Sequence, residues 1–560
     1  MTIQAKLLFN LIGPRTLGRF DARCKRPLSE QEELLQSIVD ANAETVFGRC
    51  CQFQKIGSFR DFQRQVPLME YEELEPFVDA ARRGEPAQLT RETPAFYAKT
   101  SGTTGASKYI PVTKTSRRAK AGLMRVWLSA FFRDHRPALD GKILQVASPE
   151  VEDLAPDGTP CGAETGHAYR NMPRVMRGLY PVPYEVCEIP DYEARYYTYL
   201  RLALMHSLTA IGTPNPSTIL MLFRRLAAQT ERLVRDVRDG TLDRELVVLP
   251  EIRRQLEEEL APNPERAAFL ERAATAGDGH LTAREVWPDL QALACWKGGS
   301  VGSYLDQLAP SLPEGLPVRD LGWLSSECRG SVPLSDEGDS GPLSVATNVY
   351  EFLPERAEQP RPTDLLTVAQ VEVGGRYQVY VTTSGGLYRY AMHDILEVTG
   401  FHQNTPCVRF VQKTEGILSF TGEKLTEAQV LGAAEEILAM RGNHRQFIAA
   451  VGRPPARGAD PYYLFLVEYD APPGGGDAVR TARELDGALA RRNSEYASKR
   501  ASGRLGGVVL RVLEPGQFEE FYGRAIQGGA HDGQFKILRL TDDEEFASSF
   551  PRVVGDYAAA

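Results

Sequence analysis

The chain has 560 residues, of which 42% are apolar and 25% are charged, as is usual for globular proteins. This length exceeds what one hydrophobic core organises, so we expect two or more structural units. The net charge of −9 gives no electrostatic reason to expect nucleic acid or an anionic membrane as the main partner, and small molecules are the favoured substrates.

The N-terminal sequence predicts neither secretion nor membrane insertion. Its apolar residues up to Gly13 form a stretch too short and too interrupted for a secretion signal. No run of eighteen apolar residues occurs in the chain, so we expect no membrane-spanning segment. The eight cysteines contain no CxxC pair and no dense cluster, which favours reduced thiols in a cytoplasmic protein over disulfides or a zinc knuckle.

The hydrophobic pattern predicts an α/β fold with a helical insertion. Residues 29–90 have helical spacing, and strands and helices alternate from residue 95 onward. Residues 141–148 are typical of a buried strand, whereas residues 191–275 have long helical periodicity broken by a Gly/Pro-rich segment at 212–216. These patterns predict a large N-terminal domain with mixed sheets.

The remaining patterns predict a β-rich subdomain and a separate C-terminal domain. Strand-like segments between residues 376 and 411 indicate a hairpin or small barrel, within a subdomain of about 342–420. A helix over roughly 426–440 and a strand at 462–467 follow. We place a boundary near 415–425, giving domains of residues 1–420 and 421–560, the second a smaller, mobile α+β domain.

A polar loop at residues 100–108 is the strongest candidate for phosphate binding. Its glycines allow backbone N–H groups to turn inward, its hydroxyls add donors and its lysine adds a positive charge. The residues concerned are Thr100, Ser101, Gly102, Thr103, Thr104, Gly105 and Lys108. The loop does not match GxxxxGK[ST], because Ser107 stands where the second glycine belongs. A polar surface turn is the alternative interpretation.

Glu327 is a candidate magnesium ligand. It follows Ser325 and Ser326, and a carboxylate there could hold a hard cation that bridges to nucleotide phosphates. The alternative is that one of the two serines caps the start of a helix.

Asp394 is a candidate ribose-binding residue. It follows a β-rich segment, and an ionised carboxylate can accept hydrogen bonds from both hydroxyls of a ribose. An aspartate that caps a turn is the alternative interpretation.

Two lysines near the C-terminal domain are candidate catalytic groups. Lys424 and Lys536 could neutralise the charge that develops on a phosphoryl group during reaction, if their domain moves over the site. The alternative is that both are solvated surface lysines.

The segment Gly298-Gly299-Ser300-Val301-Gly302 matches GxSxG, which offers Ser300 as a hydrolase nucleophile. The match is weak, because no clear strand precedes it between Trp287 and Lys297. A glycine-rich wall beside a ligand is favoured over a serine hydrolase.

Taken in order, these segments resemble the Gretchen Hagen family of acyl acid amido synthetases, the plant auxin- and jasmonate-conjugating enzymes. The resemblance covers most of the chain and is densest between residues 376 and 427. The segments that carry it are the loop at 100–108, Ser325-Ser326-Glu327, Tyr350-Glu351-Phe352-Leu353-Pro354, residues 381–390 with Asp394, Val398-Thr399-Gly400-Phe401, Arg409-Phe410-Val411 and Gln534-Phe535-Lys536.

The resemblance implies membership of the acyl-adenylate-forming, firefly luciferase-like superfamily and a two-step reaction. A carboxylic acid attacks the α-phosphate of ATP and releases pyrophosphate, and an amine, expected to be that of an amino acid, then displaces AMP. The implied cofactors are ATP and Mg²⁺, and the implied product is an amide.

The resemblance also implies roles for individual residues. Phosphate contacts fall to Thr100, Ser101, Thr103, Thr104 and Lys108, the adenine pocket to Ser325, Ser326 and Tyr350, the ribose to Asp394, the metal to Glu327, and the reacting phosphate and carboxylate to Lys424 and Lys536. We place the acyl substrate near Gly299, Ser300 and Tyr304 and near the helices around residues 196–213.

A departure from the family and the open identity of the acceptor leave two alternatives. Members typically have Gly-Asp after the Tyr-Arg-Tyr signature, whereas this chain has His393-Asp394, which restricts the backbone and could place an imidazole near the nucleotide. A regulator that binds nucleotide or acyl groups without turnover is therefore one alternative. An acyl-adenylate enzyme with a thiol acceptor such as coenzyme A is the other.

Overall fold

The computed structural model describes residues 2–100, 108–298, 303–355, 357, 361–414, 417–418, 423, 425–440, 445–453, 460–501, 505–527, 538–541 and 543–559. They form two compact units, the first ending at Phe410 and the second starting at Val411. Both units combine helices with β-sheets, which confirms the predicted α/β class. No helix within these ranges has the length and apolar character needed to cross a membrane.

Helices dominate the first unit on both sides of residue 100. In chain order they are α1 (Thr2–Cys24), α2 (Pro27–Asn42), α3 (Val46–Cys50), α4 (Phe59–Gln65), α5 (Tyr71–Arg82), α6 (Lys114–Asp134), α7 (Glu164–Arg170), α8 (Arg174–Arg177), α9 (Tyr192–Ala203), α10 (Pro216–Ala228), α11 (Thr230–Asp239), α12 (Pro250–Glu259), α13 (Pro264–Ala276), α14 (Ala283–Val286) and α15 (Ser303–Leu308). The helices expected between residues 29 and 90 are thus present.

The strands up to the division between the units are β1 (Phe96–Thr100), β2 (Lys108–Val112), β3 (Lys142–Gln145), β4 (Asp153–Leu154), β5 (Pro160–Gly162), β6 (Leu208–Gly212), β7 (Ala292–Ala294), β8 (Val318–Arg319), β9 (Gly341–Pro342), β10 (Asn348–Pro354), β11 (Arg376–Thr383), β12 (Tyr390–His402) and β13 (Thr405–Lys413). They build three sheets with the orders β2-β1-β5-β4, β3-β6-β7-β8 and β10-β11-β12-β13-β9.

Two strands of the second sheet, β6 and β7, lie where the sequence did not predict strands. β6 and β7 pair in parallel with each other. β6 lies inside the segment that was expected to be helical, and β7 lies before Ser300, where no strand was expected. Leu208, Ala210 and Ile211 are almost completely buried. A short apolar strand buried on both faces has no alternation, so its sequence cannot be distinguished from that of a buried helix. The predicted strand at 141–148 is confirmed as β3.

The third sheet packs against the N-terminal helices in one apolar core. The rings of Phe47 and Tyr388, for example, stack with their centres 4.7 Å apart. A buried ion pair crosses this region: Arg389 Nε lies 2.8 Å from Glu351 Oε2, and the guanidinium also donates to the carbonyls of Gln63 and Val66. Arg389 therefore joins the end of α4 to the start of β12.

The second unit has its own sheet and core. Its helices are α16 (Glu427–Met440), α17 (Gly475–Arg492), α18 (Ser494–Ala501), α19 (Gln517–Gln527) and α20 (Glu544–Ser548), and its strands are β14 (Ile417–Leu418), β15 (Leu425–Thr426), β16 (Arg445–Arg453), β17 (Tyr462–Tyr469), β18 (Val509–Leu513), β19 (Leu540–Thr541) and β20 (Val553–Ala558). The sheet order β19-β16-β17-β18-β20 mixes parallel and antiparallel pairs. The predicted helix at 426–440 and strand at 462–467 are confirmed as α16 and β17.

Candidate active site

A polar cleft in the first unit collects side chains from five separate segments. β2, the first turns of α6, the turn after Trp323, the start of β10 and the turn after β11 all contribute. The cleft is lined by Pro111, Ser116, Ala119, Lys120, Glu327, Arg329, Thr347, Asn348, Thr383, Ser384 and Gly385. Among the described residues, the lining contains two cationic side chains, one carboxylate and no aromatic ring.

The predicted phosphate loop connects β1 and β2, which are antiparallel with Thr100 opposite Lys108. Ser101, Thr103 and Thr104 lie outside the described residues, as does the side chain of Thr100, so their role stays a prediction. The ammonium of Lys108 lies 5.3 Å from the centre of the Tyr71 ring. Because β2 continues to Pro111, the loop begins and ends on strands beside the cleft.

Ser325, Ser326 and Glu327 form a tight turn at the cleft. The backbone N–H of Ser325 donates to the carbonyl of Cys328 at 2.8 Å, and Leu324 and Arg329 form a β-bridge across the turn. No helix begins here, so the alternative of a helix cap at either serine is wrong. The turn directs Glu327 and Arg329 to the cleft, one residue apart.

Lys120 attaches this turn to α6. Its ammonium donates to the carbonyl of Ser326 at 2.7 Å and to Glu164 Oε2 at 2.9 Å. Thr113 and Ser116 form a reciprocal capping box at the start of the same helix, which fixes the direction of its first turn. Lys120 therefore holds the Glu327 turn against the helix that follows the β1–β2 hairpin.

Asp394 lies inside strand β12 rather than in a turn, so the turn-capping alternative is wrong. Its side chain is 3% exposed, and the indole N–H of Trp323 donates to its Oδ2 at 2.7 Å. The pairing of β11 with β12 shifts register between Gln378 and Tyr380, which marks a bulge in this part of β12. Asp394 is thus held firmly beside the Glu327 turn.

His393, at the position where family members typically have glycine, has a left-handed backbone with φ of +53°. Glycine adopts this conformation without the steric cost that a side chain adds. Nε2 of its imidazole lies 2.6 Å from Oε2 of Glu70, the residue before α5. The contact places the imidazole against α5 and away from the cleft lining.

Tyr350 lies behind the cleft and is fully buried. Its hydroxyl donates to the carbonyl of Gly330 at 3.1 Å and accepts from Asn348 Nδ2 at 3.0 Å, and Asn348 itself lines the cleft. Burial raises the pKa of Tyr350 well above its ordinary value, so the phenol stays protonated. Tyr350 therefore orients the lining rather than forming it.

The residues at the cleft fit a magnesium ion that is coordinated by both the protein and phosphate. Glu327 is half-buried at the cleft, and its carboxylate has no hydrogen bond or ion pair within the described ranges. Within the same ranges, no group of three acidic, histidine or cysteine side chains could enclose a metal. One carboxylate facing an open cleft is the protein contribution that Mg²⁺ takes when phosphates and water supply the remaining ligands.

The structure thus brings Ser325, Ser326, Glu327, Tyr350 and Asp394 into one region of the first unit. Tyr304, in contrast, is 3% exposed at the start of α15 and is absent from the cleft lining. Gly299, Ser300, Lys424 and Lys536 lie outside the described residues, and their roles stay predictions.

Several cleft residues were not predicted from the sequence. Lys120 had a signal, because Ser116 and Lys120 are four residues apart and so share one face of a helix next to the loop. Ser384 lies in the segment 381–390 that carries the family resemblance, but no role was predicted for it. The others had no signal, because only the fold brings them to Glu327; they are Arg329, Thr347 and Asn348.

Comparison with known proteins identifies the family. The GH3 family N-terminal domain matches residues 16–318, the central domain matches 342–413 and the C-terminal domain matches 430–545. An indole-3-acetic acid-amido synthetase, GH3.8 of Oryza sativa subsp. indica, is 27% identical and covers 94% of this chain and 89% of its own. The jasmonoyl-L-amino acid synthetase JAR4 of Nicotiana attenuata is 24% identical and covers 93% and 92%.

Solved structures show the same fold. The GH3.15 acyl acid amido synthetase superposes with a TM-score of 0.85 at 21% identity and covers 97% of both chains. A 2-hydroxyisobutyryl-CoA ligase in the postadenylation state superposes with a TM-score of 0.51 at 13% identity and covers 94% and 93%. The resemblance drawn from the motifs is confirmed, and so is the enzyme class of acid–amino acid ligases over a serine hydrolase. The three domain matches together span most of the sequence, and the chain belongs to the GH3 family.

Proposed function

We propose that this chain is an ATP-dependent acyl acid amido synthetase that adenylates a carboxylic acid and transfers the acyl group to an amino acid. The observation that carries the proposal is the placement of the Glu327 turn and Lys120 at one cleft, beside the hairpin with the predicted phosphate loop. The GH3 domains that match the chain, and the relatives that are amido synthetases, support the same activity.

In the first step a carboxylate oxygen attacks the α-phosphorus of ATP, and the bond to the pyrophosphate oxygen breaks. The amine nitrogen then attacks the acyl carbon, the bond to AMP breaks, and the nitrogen loses a proton. Both reactants of the first step are anions, so cations must offset their repulsion where charge develops. A magnesium ion held by Glu327 would supply a Lewis acid at the phosphates.

The chain's own residues would position the nucleotide. Asp394, oriented by Trp323, is proposed to hold the ribose, and Ser325 and Ser326 to form the adenine pocket. Tyr350, predicted to line that pocket, is fully buried and is proposed to support it from behind. The remaining assignments rest on motifs alone: Thr100, Ser101, Thr103, Thr104 and Lys108 for phosphate, Lys424 and Lys536 for the reacting groups, and Gly299, Ser300 and Tyr304 for the acyl substrate.

The decisive experiment measures pyrophosphate release from Mg·ATP with a panel of aryl, indolyl, fatty and dicarboxylic acids, with and without pooled amino acids. We expect release that requires an acid and increases with an amino acid, together with an amide detected by mass spectrometry. Thioester formation with coenzyme A without amide would instead identify a thiol acceptor. ATP binding without release for any acid would identify a binding protein and reject the ligase.

A further inference from the structure

Arg329 is a cation in the cleft whose guanidinium has no partner among the residues that the structure describes. It is half-buried, it lines the cleft beside Glu327, and its guanidinium has no hydrogen bond or ion pair within the described ranges. Two fully buried arginines are bonded: Arg319 contacts Asp134 and Asp336, and Arg389 contacts Glu351. Buried charges are normally paired, so the unpaired guanidinium indicates a ligand that completes the site.

The carboxylates near Arg329 have other partners. Glu164, whose charge acts on Arg329, is bonded at 2.9 Å to Lys120. Glu327 is the proposed ligand of the metal ion in the function given above. Burial lowers the pKa of Arg329, but a guanidinium remains charged at neutral pH and so presents a full positive charge to the cleft.

The ligands that match a guanidinium fork are carboxylates and phosphates, because two parallel N–H groups can bond two oxygens of either group. In the function proposed above, the nucleotide phosphates are held by the loop at 100–108 and by the metal, which leaves a carboxylate as the ligand of Arg329. The surrounding lining is also hydrogen-bonding rather than apolar, since Thr347, Asn348 and Ser384 face the same space. In the part of the chain that the structure describes, this lining holds no ring on which an aromatic acid could stack. A substrate with polar groups at both ends suits it better.

We propose that the acyl acid carries a second carboxylate, which Arg329 holds while the first is adenylated. The inference rests on the proposed function and names its substrate class. The same chemistry could come from the α-carboxylate of the amino acid. We assign it to the acid because Arg329 shares a tight turn with Glu327, the residue proposed to act in the first step.

The test is acid-dependent exchange of pyrophosphate into ATP, measured without any amine. Matched pairs isolate the second carboxylate: isophthalate against benzoate, and glutarate against pentanoate. We expect the wild-type protein to prefer the dicarboxylate of each pair. Arg329→Gln should reduce the ratio of kcat/KM values by about 10- to 100-fold, the loss that one hydrogen bond to a charged group predicts.

Two further variants separate charge from folding. Arg329→Lys keeps the charge without the planar fork and should restore part of the ratio. Arg125→Gln removes an exposed arginine from α6 and should leave the ratio at the wild-type value. Melting temperatures of all variants show whether the fold is intact.

Equal kcat/KM values of the wild-type protein for the two acids of each pair would overturn the inference. An equal loss of kcat/KM for both acids in Arg329→Gln would also overturn it, because it would place Arg329 at the nucleotide. Arg329→Gln could instead reduce only the rate of amide formation, together with the preference for glycine over glycinamide. That result would assign Arg329 to the α-carboxylate of the acceptor amino acid. Absence of exchange with every acid would reject the proposed function instead. In that case calorimetry measures the binding of isophthalate and of benzoate to the protein. Equal binding of the two acids, or no binding, would overturn the inference.

Discussion

At the scale of single residues, the cleft places opposite charges at defined positions of one turn. Glu327 and Arg329 flank Cys328, and Lys120 fixes the turn through the carbonyl of Ser326. A carboxylate and a guanidinium so close in sequence could neutralise each other, yet neither is bonded to the other. The turn therefore keeps one anionic and one cationic contact ready for ligands.

Glu327→Gln tests the proposed metal ligand. The amide has the same shape but no charge, so we expect the Mg²⁺ concentration for half-maximal pyrophosphate release to rise by about tenfold or more. Glu164→Gln is the matched control, because Glu164 is a nearby carboxylate that is bonded to Lys120. An unchanged Mg²⁺ requirement in Glu327→Gln would contradict the assignment.

His167 predicts a pH dependence of stability. Its ring is buried against Phe96, and burial lowers its pKa below the ordinary value of 6.5. As pH falls below about 6.5 the unfolded chain binds a proton that the folded chain does not, so the free energy of unfolding decreases.

Urea denaturation between pH 7.5 and 5.0 measures this effect. We expect His167→Gln to lose less stability over that interval than the wild-type protein, whatever its stability at pH 7.5. The exposed His280, changed to Gln, serves as the control. Identical pH profiles for wild type and His167→Gln would show that this imidazole does not contribute.

At the scale of elements, the start of β12 is fixed by a buried charge. Arg389 has φ of +44° and bonds Glu351 on β10 and carbonyls at the end of α4. β12 then carries Asp394 towards Trp323. The ion pair thus fixes the start of β12, and the strand in turn fixes the position of Asp394, the proposed ribose-binding residue.

Glu351→Gln should destabilise the protein strongly, because it leaves the guanidinium of Arg389 buried without a countercharge. We expect a loss of about 3–5 kcal/mol in urea denaturation. Glu397→Gln provides the comparison, since Glu397 pairs with Arg376 and Arg409 at the surface of the same sheet, where such pairs contribute about 1 kcal/mol or less. Similar losses in the two variants would contradict a structural role for the buried pair.

At the scale of the whole molecule, the described residues form two units with separate cores. The apolar cluster of the second unit runs from Leu425 to Leu540 and contains no residue of the first. The cleft, in turn, is built entirely from the first unit. Each unit therefore buries enough apolar surface of its own to order a sheet.

Residues 411–560 should consequently fold when expressed alone. We expect cooperative thermal unfolding and amide protection concentrated in β16, β17 and β18, the centre of the sheet. The fragment should bind no dicarboxylate. A broad, noncooperative transition would show that this core needs the rest of the chain.

The sequence predicted what depends on local patterns and motifs. The family and the α/β class followed from segments that keep their order along the chain. The choice of Glu327 as a metal ligand came from the same segments and stays a prediction. Strands β6 and β7 could not be predicted, because fully buried strands lack alternation. Arg329 was also missed, since its significance depends on the absence of a partner in three dimensions. Nothing in the sequence indicated that Lys120 would reach Ser326, 206 residues away.

The bond between Trp323 and Asp394 has an optical consequence. The chain has four tryptophans, and one of them donates its indole N–H directly to the carboxylate proposed to bind ribose. A nucleotide that bonds this carboxylate would change the electric field at the indole and shift its emission. If Asp394 binds the ribose as proposed, Trp323 is an internal fluorescent reporter of nucleotide binding, and subtracting the Trp323→Phe spectrum would isolate its signal.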